Sequence, residues 1–321
     1  MAIQSFAVYN RDSGIRKKSS SGGVFFEIAR LCIEKRGVVF GAAFNKEWKV
    51  IHEHANELKE VDSFLGSKYV QSSIGGEYAE VKQKLNQGKI CLFSGTPCQI
   101  AGLKSYLGKE YENLITVDFI CHGVPSPGVW RKYVESQKGE KAKKISFRDK
   151  TEGWLRFSLR IDYEDGEIYR KSLNEDLYMQ GFLKNIYLRP SCYECYFKGM
   201  DRKSDITLAD YWGIQKDIPN MFDDLGTSAV FLHSEIGNKI WNEIQDHFIF
   251  CEVNMNDPIV HNISAISSVN KTKKRKIFFR KDTFDFKVLR RLVKEPVIKK
   301  IYYISIRITH KLKEMSEVIF K

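Results

Sequence analysis

Cys192 and Cys195, in Arg189-Pro190-Ser191-Cys192-Tyr193-Glu194-Cys195, are the residues whose type and spacing most directly imply chemistry. Two thiolates at that separation can converge on one metal ion or one cluster edge, with Pro190 stiffening the loop. A thioredoxin-like redox pair would instead follow a strand and open a helix. A zinc site would need two more ligands, usually from another short-spaced pair, and the chain has no second pair. It does have Cys98, in Gly95-Thr96-Pro97-Cys98-Gln99, and Cys121, in Ile120-Cys121-His122-Gly123, each shortly after an apolar run that reads as a buried strand. Residues at the carboxyl ends of strands in an open α/β sheet point into the crevice where ligands bind, so these two cysteines can share a site. Adding Cys192 and Cys195 makes four thiolates, the number an iron–sulfur cube requires; a four-cysteine tetrahedral zinc is the alternative. Cys98, near a helix N-terminus, also admits a nucleophilic role. Cys32, Cys91 and Cys251 fall in apolar surroundings and read as inert buried thiols. Four thiolates on a 4Fe-4S core in its two-plus state leave a net charge of about minus two, which calls for N–H donors and cations nearby. Lys68, Arg189, Lys198 and Arg202 are the candidates.

The elements that must position these residues follow from hydrophobic periodicity. Gly22-Gly23 leads into an expected helix over 24–34, where Val24, Ile28, Leu31 and Cys32 recur at helical spacing; Gly37 ends it, and Val38-Val39-Phe40 reads as a buried strand. The order repeats with a helix over 77–87, a strand over 89–93, a helix over 98–107 and a strand over 114–120. Alternating helices and short apolar strands predict an α/β fold, a mixed sheet flanked by helices. Between Lys143 and Leu173 the pattern changes to period two, with a turn at Glu164-Asp165-Gly166, and predicts an inserted antiparallel hairpin. A short helix over 177–185, strands over 206–209 and 228–232 and a helix over 236–247 complete a single α/β domain over 1–260.

The remainder, 261–321, reads as a basic helical extension. Of the net charge of +12, the stretch from Lys271 to Lys321 carries all: 17 basic and 5 acidic residues there, against 35 of each before it. A uniformly basic nucleic-acid binder does not fit that distribution. Val297, Ile301, Ile304, Ile308, Leu312, Met315 and Ile319 recur at spacings of three and four, with Lys299, Arg307 and Lys313 off the stripe and Lys300 and Lys311 bordering it, as in an amphipathic helix that packs on the body or a partner subunit, lies on a membrane surface or, least in keeping with the pattern, contacts nucleic acid. With 43% apolar and 29% charged residues among 321, the composition is that of a globular protein, not a disordered one. The opening MAIQSFAVYN lacks the features of a secretory signal, and no run approaches about 18 consecutive apolar residues. A cytosolic protein is therefore expected, in which clustered cysteines hold metals or do redox chemistry.

Taken in order, Ser21-Gly22-Gly23, Gly66-Ser67-Lys68-Tyr69, Thr96-Pro97-Cys98-Gln99, Cys121-His122-Gly123, the Cys192 and Cys195 pair and Ser204-Asp205-Ile206-Thr207-Leu208-Ala209-Asp210 resemble the beta subunit family of coenzyme F-420 hydrogenases and dehydrogenases, over about 19–213. The resemblance implies an iron–sulfur flavoprotein oxidoreductase with FAD beside one 4Fe-4S cluster, held by Cys98, Cys121, Cys192 and Cys195, and with Gly22, Gly23, Ser67, Lys68 and Tyr69 near the flavin. A Lys or backbone donor near the flavin N1 region would stabilise anionic reduced flavin; taken alone, Gly22-Gly23 is equally a helix-start turn. Many relatives carry an N-terminal ferredoxin-like segment, whereas the first 90 residues here contain only Cys32. A separate ferredoxin-like electron carrier or redox subunit is thus expected, with a small-molecule substrate left open. Similar proteins occur among genes for surface-polysaccharide synthesis, and a basic tail would suit an enzyme held near a membrane. A zinc-stabilised interaction protein using the same four thiolates is the competing reading.

Overall fold

Short apolar segments, which can be buried on both faces, build the centre of the main sheet. In a computed structural model that describes residues 3–280 and 284–294, they fall within eight strands: β1 (Gln4–Asn10), β2 (Val38–Phe44), β3 (Val50–Ala55), β4 (Cys91–Ser94), β5 (Leu114–Phe119), then β9 (Ile206–Asp210), β10 (Ser228–Leu232) and β11 (Phe248–Glu252). Their order is β11-β1-β10-β9-β5-β4-β2-β3. The inner neighbours β2, β4, β5 and β9 run parallel, each crossing over through the flanking layers, while β3 on one side and β10, β1 and β11 on the other pair antiparallel. The fold is therefore α/β with a mixed sheet flanked by helices, as its periodicity predicted.

The expected hairpin is present as β7 (Ser158–Tyr163) and β8 (Ile168–Ser172), and it recruits β6 (Ala142–Asp149). These three form a separate antiparallel sheet rather than an extension of the large one. Three strands with one apolar face have the independent stability that an isolated hairpin lacks. Its inner face, Ile145, Phe147, Leu159 and Ile161, packs with Trp130 and Tyr133 of the helix Pro127–Ser136 and Tyr178 and Phe182 of the helix Leu177–Leu183.

Helix boundaries follow their caps. Thr96 and Gln99 close a reciprocal capping box with Pro97 in the first turn of the helix Pro97–Leu107, so Cys98 is placed one residue inside a helix start at the carboxyl end of β4. The helix Val24–Glu34 begins at Gly23, whose φ of 86° is left-handed. A β-carbon on Gly22 would lie 2.3 Å from the Val8 carbonyl and 2.9 Å from the Ser228 amide, so this pair meets the needs of a helix start seated against β1 and β10.

The helices Lys273–Phe278 and Phe286–Val293 contribute Phe278, Leu289 and Val293 to the same aromatic core. The amphipathic stripe from Val297 to Ile319 lies outside the described residues. Among the described residues no helix is long and apolar enough to cross a membrane.

Candidate redox site

The four sequence-predicted thiols come from three places. Cys98 follows β4, Cys121 follows β5, and Cys192 and Cys195 belong to the loop containing the 3-10 turn Pro190–Glu194. The second and third places are clasped together: Arg189 N donates to Val124 O at 2.8 Å, Ser126 N to Tyr187 O at 2.9 Å, and Pro125 and Leu188 form a β-bridge. Gly123 is what permits this approach. Its φ is 145°, and a β-carbon there would sit 3.1 Å from Leu188 and 3.3 Å from the Cys192 β-carbon. Cys98 and Cys192 both add to the electrostatic cost of ionising Cys121, and Cys98 and Cys195 to that of Cys192. All four thiols thus share one electrostatic neighbourhood. Among the described residues no three His, Cys, Asp or Glu side chains are placed to hold one metal ion.

Burial pushes the Cys121 thiol up to about 12, against a lowering by Lys198, and pushes Cys192 up as well, with Arg189 among the groups opposing it. The Lys198 ammonium sits between the cysteine loops, donating to Cys121 O at 2.5 Å and Ser264 O at 2.7 Å. Burial pulls its pKa down, while the thiolate charges at Cys121, Cys195 and Cys192 pull it up. Thr96 Oγ1 lies 3.0 Å from Cys98 Sγ, and the Cys195 amide donates to Ser268 Oγ at 2.9 Å. Of the four proposed cations, Lys198 and Arg189 are therefore at the thiols. Arg202 is turned instead to Asp118 near the end of β5, 3.7 Å away with both side chains buried, and that carboxyl is raised to about 6, chiefly by burial. Lys68 is elsewhere: its ammonium closes a turn by donating to the carbonyls of Ser63 at 2.6 Å and Leu65 at 3.1 Å.

The second predicted set also comes together. Ser20 and Ser67 share a hydrogen bond of 2.8 Å, joining the loop before Gly22 and Gly23 to the segment holding Ser67, Lys68 and Tyr69. Arg148 of β6 ties both down. It forms a two-pronged ion pair with Asp210 at the end of β9, 2.9 Å on each side, and donates to Ser20 O at 2.9 Å and Tyr69 Oη at 3.2 Å. Lys150 caps the same loop by donating to Arg16 O at 2.5 Å and Leu225 O at 2.8 Å; burial draws it down to about 7. Ser19 Oγ is buried there without a partner.

The two sets adjoin. The Tyr69 ring stacks on Phe182 at 5.0 Å, and Phe182 meets the His122 ring edge-on at 5.2 Å. His122 itself, next to Cys121, is fixed by Asn185 Oδ1 at 2.7 Å. Gln71 N also donates to Pro125 O at 3.0 Å. Sequence reasoning gave no role to Arg148, Lys150, Phe182 or Asn185. A charged residue breaking the apolar alternation at Ile145 and Phe147 was the available signal for Arg148, but it reads equally as an outward-facing position. The other three thiols stay apart from the site: Cys32 and Cys91 are fully buried, and Cys251, expected to be buried, is half-exposed on β11 beside β1. A cavity of about 530 Å³ between β8 and the helices Leu177–Leu183 and Phe286–Val293 shares no lining residue with either set.

Among curated proteins, none matches this chain. Among solved structures, a chain of the F420-reducing [NiFe] hydrogenase complex from Methanosarcina barkeri, studied by xenon derivatisation, has a similar fold: the TM-score is 0.51 at 19% identity, covering 80% of this chain and 83% of that one. The family model for the C terminus of the coenzyme F420 hydrogenase/dehydrogenase beta subunit matches residues 88–289, a span that contains all four clustered cysteines, Arg148 and Asp210. The chain belongs to the coenzyme F420 hydrogenase/dehydrogenase beta-subunit family, and so among the subunits of redox enzymes.

Proposed function

We propose that the protein is an iron–sulfur flavoprotein oxidoreductase in which Cys98, Cys121, Cys192 and Cys195 hold one 4Fe-4S cluster and FAD lies against the segments of Gly22, Gly23, Ser67, Lys68 and Tyr69. What supports this reading is that the loops of Cys121 and Cys192 are bonded to each other, with the Lys198 ammonium on the Cys121 carbonyl, and that Cys98, Cys121, Cys192 and Cys195 lie near enough to influence one another's ionisation, although no three of them are placed to hold a single metal ion. The donor set fits a cluster: four sulfurs, backbone amides, and Lys198 and Arg189 to offset negative charge. The flavin segments fit less completely. They offer an unpartnered hydroxyl at Ser19 and the cations Arg16, Arg148 and Lys150, two of them already paired with Asp223 and Asp210. FAD supplies two-electron hydride chemistry when bound, and a cluster supplies single electrons.

This chain's own residues do four things in that reading. The thiols anchor, Lys198 neutralises, Arg148 holds the Ser20 loop and Tyr69 in register, and the rings of His122, Phe182 and Tyr69 pack between the two sets. The substrate is a small molecule that gives or takes hydride, and a place in surface-polysaccharide synthesis rests on the sequence resemblance. We place the enzyme in the cytosol, with the basic segment after Lys271 providing peripheral membrane contact.

Anaerobic purification with iron, sulfide and flavin quantitation tests the assignment. About four irons per chain and one FAD are expected. A sample with neither would overturn it, and one zinc without flavin would select the zinc-stabilised interaction protein instead.

A further inference from the structure

The cavity of about 530 Å³ between β8 and the helices Leu177–Leu183 and Phe286–Val293 has no part in the site described above. Its size is that of a small-molecule site, for which about 300 Å³ or more is usual. The floor is polar and built from buried groups. Tyr169 of β8 donates to Asp176 Oδ2 at 2.8 Å, Tyr133 of the helix Pro127–Ser136 donates to the same oxygen, and the two hydroxyls lie 3.1 Å apart. Asp176 is fully buried, and its other oxygen accepts the Met179 amide at 2.7 Å as the cap of the helix Leu177–Leu183. Burial beside this carboxyl raises the pKa of both tyrosines, so both hydroxyls keep their protons. Each has one proton to give and gives it to Asp176. Lone pairs on both oxygens are left as acceptors for a hydroxyl that enters the cavity.

The rim is cationic. Lys171, Arg290 and Lys294 line it, with the Lys171 ammonium 5.3 Å from the centre of the Tyr169 ring. No ion pair engages any of the three among the described residues. Glu175, the carboxylate in the lining, is held by its own turn, accepting from Ser172 Oγ at 2.7 Å. Cations without a counter-charge around a cavity select an anion, and guanidinium and ammonium groups suit phosphate. The rings select what carries it. Phe286 meets Tyr133 edge-on, 5.7 Å apart at 67°, and Lys171 covers the Tyr169 face, so the lining presents ring edges and hydroxyls rather than a slot for a flat base. A compact ring bearing several hydroxyls and one phosphate matches each part.

We propose that this cavity binds a phosphorylated sugar, with its phosphate at Lys171, Arg290 and Lys294 and its hydroxyls on Tyr133 and Tyr169. The cavity shares no lining residue with the thiols or with the segments of Ser20 and Tyr69, so the site stands whether or not a cluster and a flavin are held there.

Isothermal titration calorimetry of the full-length protein tests this with hexose monophosphates, glucose, inorganic phosphate and uridine monophosphate. At least one hexose monophosphate should bind with a Kd below about 1 mM, and about tenfold or more tighter than the other three probes. Its affinity should fall as salt rises from ~50 to ~200 mM. Lys171→Gln and Arg290→Gln, on the exposed rim, should each weaken binding about tenfold, and Tyr169→Phe about threefold to tenfold, with urea unfolding of the two rim variants as in wild type. No heat from any hexose monophosphate at ~10 mM overturns the proposal. Equal affinity for inorganic phosphate reduces the site to an adventitious anion patch, and tighter binding of uridine monophosphate assigns a nucleotide instead; either overturns it. So does sugar-phosphate binding that both rim variants retain in full, which would place the ligand elsewhere.

Discussion

At the scale of single residues, Lys198 and Gly123 explain more of the site than the cysteines do. Lys198 puts a positive charge among sulfurs that burial would otherwise keep protonated, and Gly123 removes the β-carbon that would hold Cys121's loop off Cys192. Removing one sulfur from such a set should empty it. Cys195→Ala is expected to lose iron almost completely, whereas Cys251→Ala, on β11 beside β1, should retain the wild-type content; equal loss in both, by metal analysis, would show that the ligand set is wrong. His52 permits a test independent of any cofactor. It is 5% exposed, stacked on Phe93, with Nε2 3.0 Å from Ser94 O, and burial lowers its pKa from 6.5 to about 4. The unfolded chain takes up this proton near pH 6.5 and the folded protein does not until about pH 4. Its stabilising contribution is therefore whole above pH 6.5 and is lost as pH falls through that window, by about 3 kcal/mol at the limit. His233 acts in the same sense, and Asp118, raised to about 6, in the opposite one. His52→Gln should have a shallower decline in urea-measured stability between pH 7 and about pH 4.5 than wild type; parallel curves would refute the burial argument.

At the scale of elements, the two sheets are tied by β6 reaching β9. Arg148 is 2% exposed in its side chain, stacks over Phe157 at 4.1 Å and meets Asp210 with both prongs, while Trp154 Nε1 donates to the same carboxylate at 3.0 Å. Breaking a buried pair from one side leaves an uncompensated charge, whereas removing both partners does not. Arg148→Met should destabilise by about 3–5 kcal/mol, and Arg148→Met with Asp210→Leu by clearly less, measured by urea unfolding. Additive losses would mean that the pair does not join the sheets. The helix starts were legible because their signals are local: the capping box of Thr96 and Gln99 and the glycine before Val24 act within one turn. β1, β3 and β11 were not. The sequences Gln-Ser-Phe-Ala-Val-Tyr-Asn and Val-Ile-His-Glu-His-Ala carry polar residues that only partner strands make acceptable, and β11 begins directly after the helical stretch 236–247 with no Gly or Pro to mark its start.

At the scale of the molecule, charge is segregated. The body before Lys271 is neutral, and the stretch after it holds the whole excess. The full-length protein is expected to sediment with vesicles containing anionic lipid at low salt, to be released at ~1 M salt where screening is nearly complete, and to ignore neutral vesicles. Retention on neutral vesicles would assign the contact to apolar insertion instead. The aromatic core formed by Trp130, Tyr133, Phe147 and Tyr178 extends to Phe278 and Leu289, so the body does not end where the composition changes.

The sequence by itself determined which residues could do redox chemistry, the alternation that produces the parallel centre of the sheet, and the charge asymmetry, because residue type, periodicity and net charge are properties of the chain before it folds. Only the tertiary structure decided that the loops of Cys121 and Cys192 are clasped together, that Lys198 rather than Lys68 faces the thiols, that Arg148 and Asp210 join the two sheets, and that Tyr169 and Arg290 line one cavity. Each of these depends on contacts between segments tens to hundreds of residues apart, and the energy of such a contact resides in a juxtaposition that no local pattern encodes.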